Sequence, residues 1–150
     1  MTIQNEYETT YVARPDLTDE QMTRITTKIE QVLTTGGGTL LVTEDWGKRK
    51  LAYLISKHLR GHYIYVNYCG PSPIVLEIER NLRLEDQLLR FLTVKLEDDV
   101  VPEERRTVAE ERRKMRIERM AALKAEEEAE ARYRAEAEEE DAEGSVEDAE

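Results

Sequence analysis

Residues 39–56 read Thr39-Leu40-Leu41-Val42-Thr43-Glu44-Asp45-Trp46-Gly47-Lys48-Arg49-Lys50-Leu51-Ala52-Tyr53-Leu54-Ile55-Ser56. The first seven are rich in β-branched and apolar residues and predict a strand. Leu51, Tyr53 and Ile55 alternate with Ala52, Leu54 and Ser56, the period of a second strand. Between them stand Gly47 and three consecutive cations, Lys48, Arg49 and Lys50. The pattern predicts a β-hairpin with the cations at its tip. A hairpin tip lies at the surface, because a buried loop would strand its polar backbone groups. Cations gathered there are suited to touching phosphate.

Upstream, Tyr7 to Val12 predicts a short strand that ends near Pro15. Leu17 to Leu33 predicts a helix. Thr18 and Gln21 have capping-box spacing, and Asp19 and Glu20 suit the positive end of the helix dipole. Met22, Ile25, Ile29, Val32 and Leu33 recur on one helical face. Gly36-Gly37-Gly38 stops the helix and lets the chain turn.

Downstream, the second hairpin arm is expected to extend to Gly61, which marks a kink or bulge. His62 to Tyr68 resumes a strand, with Ile64 and Val66 on one face and Tyr63, Tyr65 and Asn67 on the other. Pro71-Ser72-Pro73 opens a second helix, with Ser72 as N-cap and Pro73 at the first helical position. Ile74, Ile78 and Leu82 line its core face. Leu89 to Leu96 predicts the last strand. The order strand-helix-strand-strand-helix-strand fits an α+β ferredoxin-like sandwich, with a four-stranded antiparallel sheet and both helices on one face.

The chain has 150 residues with 22 Lys+Arg and 33 Asp+Glu, a net charge of −11. Residues 1–100 carry 12 Lys+Arg against 15 Asp+Glu and suffice for one domain. Residues 101–150 carry 10 against 18 and lack the apolar content for a second core. The tail therefore supplies most of the negative charge, and a local basic patch on the domain remains compatible with it. The extension is predicted as a solvated helix to about residue 140, followed by disorder. Its apolar residues do not sustain a heptad seam. It is also polarised: residues 103–124 hold eight Lys/Arg against five Asp/Glu, and residues 125–150 hold two against thirteen. The basic part is suited to lie along RNA, and a purely solubilising extension explains the same pattern.

Cys69 is the only cysteine, so neither an intrachain disulfide nor a multi-cysteine metal site is expected. His58 and His62 flank Gly61 without a carboxylate or cysteine at ligand spacing. Gly36-Gly37-Gly38 lacks the Lys-Ser/Thr sequel of a phosphate loop. The reading is no enzyme, no cofactor, no metal, no small-molecule substrate and no membrane span, in a cytosolic protein.

Arginines carry the remaining signal. Arg80 and Arg83 fall near the end of the second helix, where a cation also suits the dipole. Arg90 begins the last strand, so Arg83 and Arg90 bracket one short connection and are suited to gripping a phosphate. Arg60-Gly61-His62-Tyr63-Ile64-Tyr65-Val66 loosely matches an RNA-recognition signature, with several positions departing from it.

Several motifs stand in register: Tyr7-Glu8-Thr9-Thr10-Tyr11-Val12, Arg14-Pro15-Asp16-Leu17, Trp46 to Ile55, Gly61-His62-Tyr63, Glu79-Arg80-Asn81-Leu82-Arg83 and Leu89 to Lys95. Over about residues 6–98 they resemble the bacterial small-subunit ribosomal protein six family. The resemblance implies the ferredoxin-like fold and no catalysis. It implies binding to the central domain of small-subunit ribosomal RNA, with ribosomal protein eighteen as partner, on the platform of the subunit. By motif position it implies RNA contact by Arg83 and Arg90, assisted by Lys48, Arg49 and Lys50. Tyr63, Tyr65 and Phe91 are the candidate partner-interface residues. The alternative is a stand-alone single-strand RNA binder that stacks bases on Tyr63 and Tyr65.

Overall fold

The computed structural model describes residues 3–147, with side chains described to residue 142. Elements follow in the order β1 (Gln4–Ala13), α1 (Asp19–Thr35), β2 (Thr39–Ile55), β3 (His58–Gly70), α2 (Pro73–Leu84), β4 (Leu88–Val100) and α3 (Pro102–Glu147). The chain divides into two compact units, Met1–Glu110 and Glu111–Glu150.

In the first unit the strands form one antiparallel sheet in the order β2-β3-β1-β4. This is the ferredoxin-like arrangement. Period-two alternation decides the faces. Tyr7, Tyr11 and Ala13 of β1, with Ile64, Val66 and Tyr68 of β3, point to the helices and join Met22, Ile25, Ile29, Leu33, Ile74, Ile78 and Leu82 in the core. Glu6, Glu8 and Val12 point the other way, opposite Cys69, Asn67 and Tyr63. The central β1 carries a buried hydroxyl relay: the Thr9 Oγ1 lies 2.9 Å from the Tyr68 hydroxyl and 2.8 Å from Thr93 Oγ1. Those bonds satisfy three hydroxyls that burial would otherwise penalise.

The helices form for the reasons their sequences supply. α1 begins with a full capping box: the Gln21 amide donates to Thr18 Oγ1, and the Thr18 amide donates to Gln21 Oε1 at 2.9 Å. At its other end Gly36 caps and Gly37 takes a φ of +76°. α2 starts at Pro73, but Ser72 departs from the expected capping role. Its backbone is helical and its side chain makes no cap bond; instead the Asn5 amide donates to Ser72 Oγ at 3.2 Å.

The hairpin differs from the expectation in a way that moves the cations. β2 does not end before Lys48 but runs on to Ile55, and the turn is Ser56-Lys57. Lys48, Arg49 and Lys50 lie within the ladder, opposite His62, Gly61 and Arg60. Gly47, read as part of the turn, has φ +75° at a register shift, so it is a β-bulge. Gly61, read as a kink or bulge, is regularly paired with Arg49; a Cβ there would collide with Val12 Cγ1. The true turn has φ of +47° at Ser56 and +67° at Lys57. That matches a two-residue turn whose twist suits antiparallel strands. Ser-Lys is an unusual pair for it, which is why the sequence signal pointed to Gly47.

α3 begins beside the sheet. Pro102 and Ala109 are buried, and the Arg105 Nε donates to Glu6 Oε2 at 2.6 Å. Glu6 also accepts from Asn67 Nδ2 at 3.1 Å. These first turns, up to Glu110, belong to the compact N-terminal unit. In the second unit the helix continues to Glu147, past the expected end near residue 140, with a Lys124 to Glu128 pair at 4.0 Å. Residues 148–150 lie outside those described.

Candidate nucleic-acid interface

The sheet face away from α1 and α2 gathers aromatic rings and arginines. Trp46, turned onto this face by the Gly47 bulge, stacks on Tyr65 with centroids 5.2 Å apart and an interplanar angle of 11°. The Arg49 guanidinium lies 5.6 Å above the Trp46 ring, and Arg49 Nε donates to the Trp46 carbonyl at 3.3 Å. Trp46 Nε1 in turn donates to Glu44 Oε2 at 3.3 Å. A bulged stretch of β2 follows between the Lys50–Arg60 and Ile55–His58 pairs. It turns Leu51 inward toward Gly61 and carries Tyr53 across the face to β4. There the Arg90 guanidinium lies 5.2 Å from the Tyr53 centroid and Arg90 Nη1 donates to the Tyr53 hydroxyl.

Arg83 completes a set of three. It sits in the last turn of α2, donates to Glu79 Oε2 at 3.0 Å, and lies 5.6 Å over the Phe91 ring. Phe91 is on the helix face and Arg90 on the opposite face of the same edge strand. The arginines therefore flank β4, and both line a cleft of about 340 Å³ formed with Leu82, Glu85, Leu88, Leu89 and Phe91. Cation–π contact restrains each guanidinium, which lowers the entropy lost on binding an anion. Each is solvent-exposed; the Arg83 side chain retains 62% of its surface.

The expected residues thus separate into groups. Arg83 and Arg90 share the cleft, as the short connection between them suggested. Arg49 joins the open face through Trp46, a residue the sequence reading left unassigned. Lys48 and Lys50 are exposed on β2. Tyr63 is half-buried opposite Val12. Tyr65 is 3% exposed, and its hydroxyl donates to Glu8 Oε2 at 2.8 Å, so it offers no ring face to a base. Phe91 is packed against the core. Apolar surface on this face comes instead from Leu92, Val94 and Tyr53, all exposed. By the family resemblance Tyr53 is expected to support packing or the protein interface, and it lies among these exposed residues.

Burial pushes Tyr11 and Tyr68 up to about 12 and the Cys69 thiol up to about 11. His62 Nε2 lies 2.6 Å from Asp45 Oδ1, which also accepts from the Gly47 amide at 2.8 Å, tying the bulge to β3. Among the described residues no group of three or more His, Cys, Asp or Glu is placed to hold a metal ion. Among them, too, no helix is long and apolar enough to cross a membrane.

The class defined by this fold and surface is a ferredoxin-like α+β domain with arginines poised over aromatic rings and an exposed apolar strip on its sheet. Comparison with known proteins places it further. The profile of the Ribosomal protein S6 family matches residues 6–95, and the chain belongs to that family. It is 46% identical over 95 residues to the small ribosomal subunit protein bS6 of Citrifermentans bemidjiense, covering 63% of this chain and 71% of that one. With bS6 of Geobacter sp. strain M21 the figures are the same. The crystal structure of 30S ribosomal protein S6 from Thermotoga maritima superimposes with a TM-score of 0.59 at 21% identity, over 62% of this chain and 88% of that one. That likeness supports the fold. These relatives are proteins of the small ribosomal subunit by name.

Proposed function

We propose that this chain is a structural component of the bacterial small ribosomal subunit, working in the cytoplasm. It binds the central domain of the small-subunit ribosomal RNA together with ribosomal protein eighteen and performs no chemistry. The observation that carries this reading is the trio Arg49, Arg83 and Arg90, each exposed and each held over an aromatic ring. Fixed guanidinium forks suit phosphate, and phosphate contacts position a protein on folded RNA without reading bases. Lys48 and Lys50 add charge beside Arg49. Tyr63 with Leu92 and Val94 supplies the surface for the protein partner; Tyr65 and Phe91 act beneath it, as supports for Trp46 and Arg83.

The test is binding of the full chain to a central-domain ribosomal RNA junction across a salt series, with and without ribosomal protein eighteen. Replacing Arg83 and Arg90 by Gln should flatten the dependence of log affinity on log salt by roughly 2, since each phosphate contact contributes about 0.9. The reading fails if binding needs no partner and favours unstructured RNA, or if the double replacement leaves the slope unchanged.

A further inference from the structure

We infer that the open edge of β4 pairs antiparallel with the same edge of a second copy of this chain, and that Glu97, Asp98 and Asp99 of each copy then close the Arg83–Arg90 cleft of the other to phosphate. The pairing stands on the fold alone; its competition with RNA rests on the RNA-binding reading above.

Three observations carry it. The first is an unguarded edge. β2 and β4 are the outer strands of the sheet, and among the described residues β4 pairs with β1 alone. β2 carries the devices that block strand addition: its register with β3 shifts at three places, and it holds the cations Lys48, Arg49 and Lys50. β4 keeps an unbroken register with β1 over Arg90–Lys95, and its own shifts fall outside that stretch. The second is apolar surface beside the edge. Leu92 is 66% and Val94 42% exposed, two residues apart and so on one face. In an antiparallel pair centred on Thr93, Leu92 of each copy faces Val94 of the other. The third is charge. β4 begins beside the Arg83–Arg90 cleft and ends on Glu97, Asp98 and Asp99, all exposed. The same pairing brings these carboxylates alongside Leu88 and Leu89 of the other copy, which line that cleft. The carboxylate already in the cleft, Glu85, is paired with Arg24 at 3.5 Å and Lys28 at 3.8 Å. Arg83 and Arg90 are the cations that meet the newcomers.

A second copy is the occupant this edge specifies. A strand that is basic at one end, apolar in the middle and acidic at the other complements itself when reversed. The contact is isologous, so each interaction forms twice. An edge this short buries less than the ~1,200 Å² of a standard interface, which makes the association weak and reversible. Free chains would then hold their cleft closed until RNA displaces the second copy.

The experiment uses the full chain alone, in sedimentation equilibrium at low salt from about 5 to 500 μM, the range suited to a small interface. The average mass should rise from 17.4 kDa toward twice that value. Outer-edge amides between Phe91 and Val94 should exchange more slowly as concentration rises, with β2 unaffected. Two variants test the contacts. Leu92→Lys with Val94→Lys sets cations on side chains exposed in the single chain. Glu97→Gln with Asp99→Asn removes charge and keeps a residue that tolerates the φ of +53° at position 99. Each should weaken association by roughly tenfold, with circular dichroism confirming the fold. A mass that stays at 17.4 kDa throughout overturns the inference. So does a dimer that both variants leave unchanged, or one without concentration-dependent protection in β4. Adding the ribosomal RNA junction with ribosomal protein eighteen should dissolve the dimer and leave one chain per RNA; two chains per RNA overturns the closure of the cleft. A junction that binds neither form, with the mass and exchange results as expected, removes the RNA-binding reading and leaves the pairing supported.

Discussion

Replacing Arg105 by Met should destabilise the N-terminal unit by about 3 kcal/mol. The Glu6 side chain is fully buried, the Arg105 side chain is 19% exposed, and their atoms lie 2.6 Å apart. Deleting one partner of a buried ion pair costs about 3–5 kcal/mol, because the other charge is left without compensation. Asn67 Nδ2 remains bonded to Glu6 at 3.1 Å, which puts the expectation at the low end. At a urea m-value of about 1.5 kcal/mol/M, the midpoint falls by about 2 M. Trp46 is the only tryptophan, so its fluorescence reports the unfolding of this unit directly. The companion variant Glu6→Gln with Arg105→Met removes the charge as well as its partner. It should recover about 1–2 kcal/mol, a coupling within the usual range for contacting residues. Cys69 offers an independent readout, since it pairs with Glu6 across the sheet and is fully buried. Its reaction with a thiol reagent should be slow in the wild type and faster in the single variant. A midpoint shift below about 0.5 M, with a coupling energy under about 0.5 kcal/mol, would refute the argument that Arg105 neutralises Glu6 and anchors the start of α3.

Other outcomes follow from single features. Thr18→Ala removes one half of the α1 capping box and should cost about 1 kcal/mol, read from the same urea transition. Gly61→Ala places a methyl group 2.3 Å from Val12 Cγ1, so the valine or the strand must shift. It should cost about 1–3 kcal/mol by overpacking, with Gly37→Ala, strained by its φ of +76° but facing open space, as comparison. Tyr11 and Tyr68 are raised to about 12 from an ordinary value of 10. Between these values the unfolded chain releases protons that the folded chain retains. Their stabilising contribution is therefore complete below pH 10 and is lost as pH rises toward 12, by on the order of 2 kcal/mol each. An alkaline titration followed by phenolate absorbance should show these two tyrosines ionising late and together with unfolding; two early, reversible ionisations would contradict their burial.

The sequence by itself determined the element order, the helix faces and the α1 cap. These depend on spacing along one segment: Ile74, Ile78 and Leu82 share a face wherever the helix is placed, and Thr18 meets Gln21 within one turn. It also pointed to Arg83 and Arg90, because a short connection keeps them close in any fold. Tertiary structure alone decided the rest. Gly47 signals a turn and a bulge equally well, and only pairing with β3 selects the bulge, sending Lys48 to Lys50 into the ladder and the tip to Ser56-Lys57. Trp46 meets Tyr65, Tyr53 meets Arg90, and Glu6 meets Arg105 across separations that no local period encodes. Register and sheet twist set those meetings, and they emerge only when four strands pair at once. The arginines of the proposed interface were legible in the sequence, but the rings that hold them in place were not.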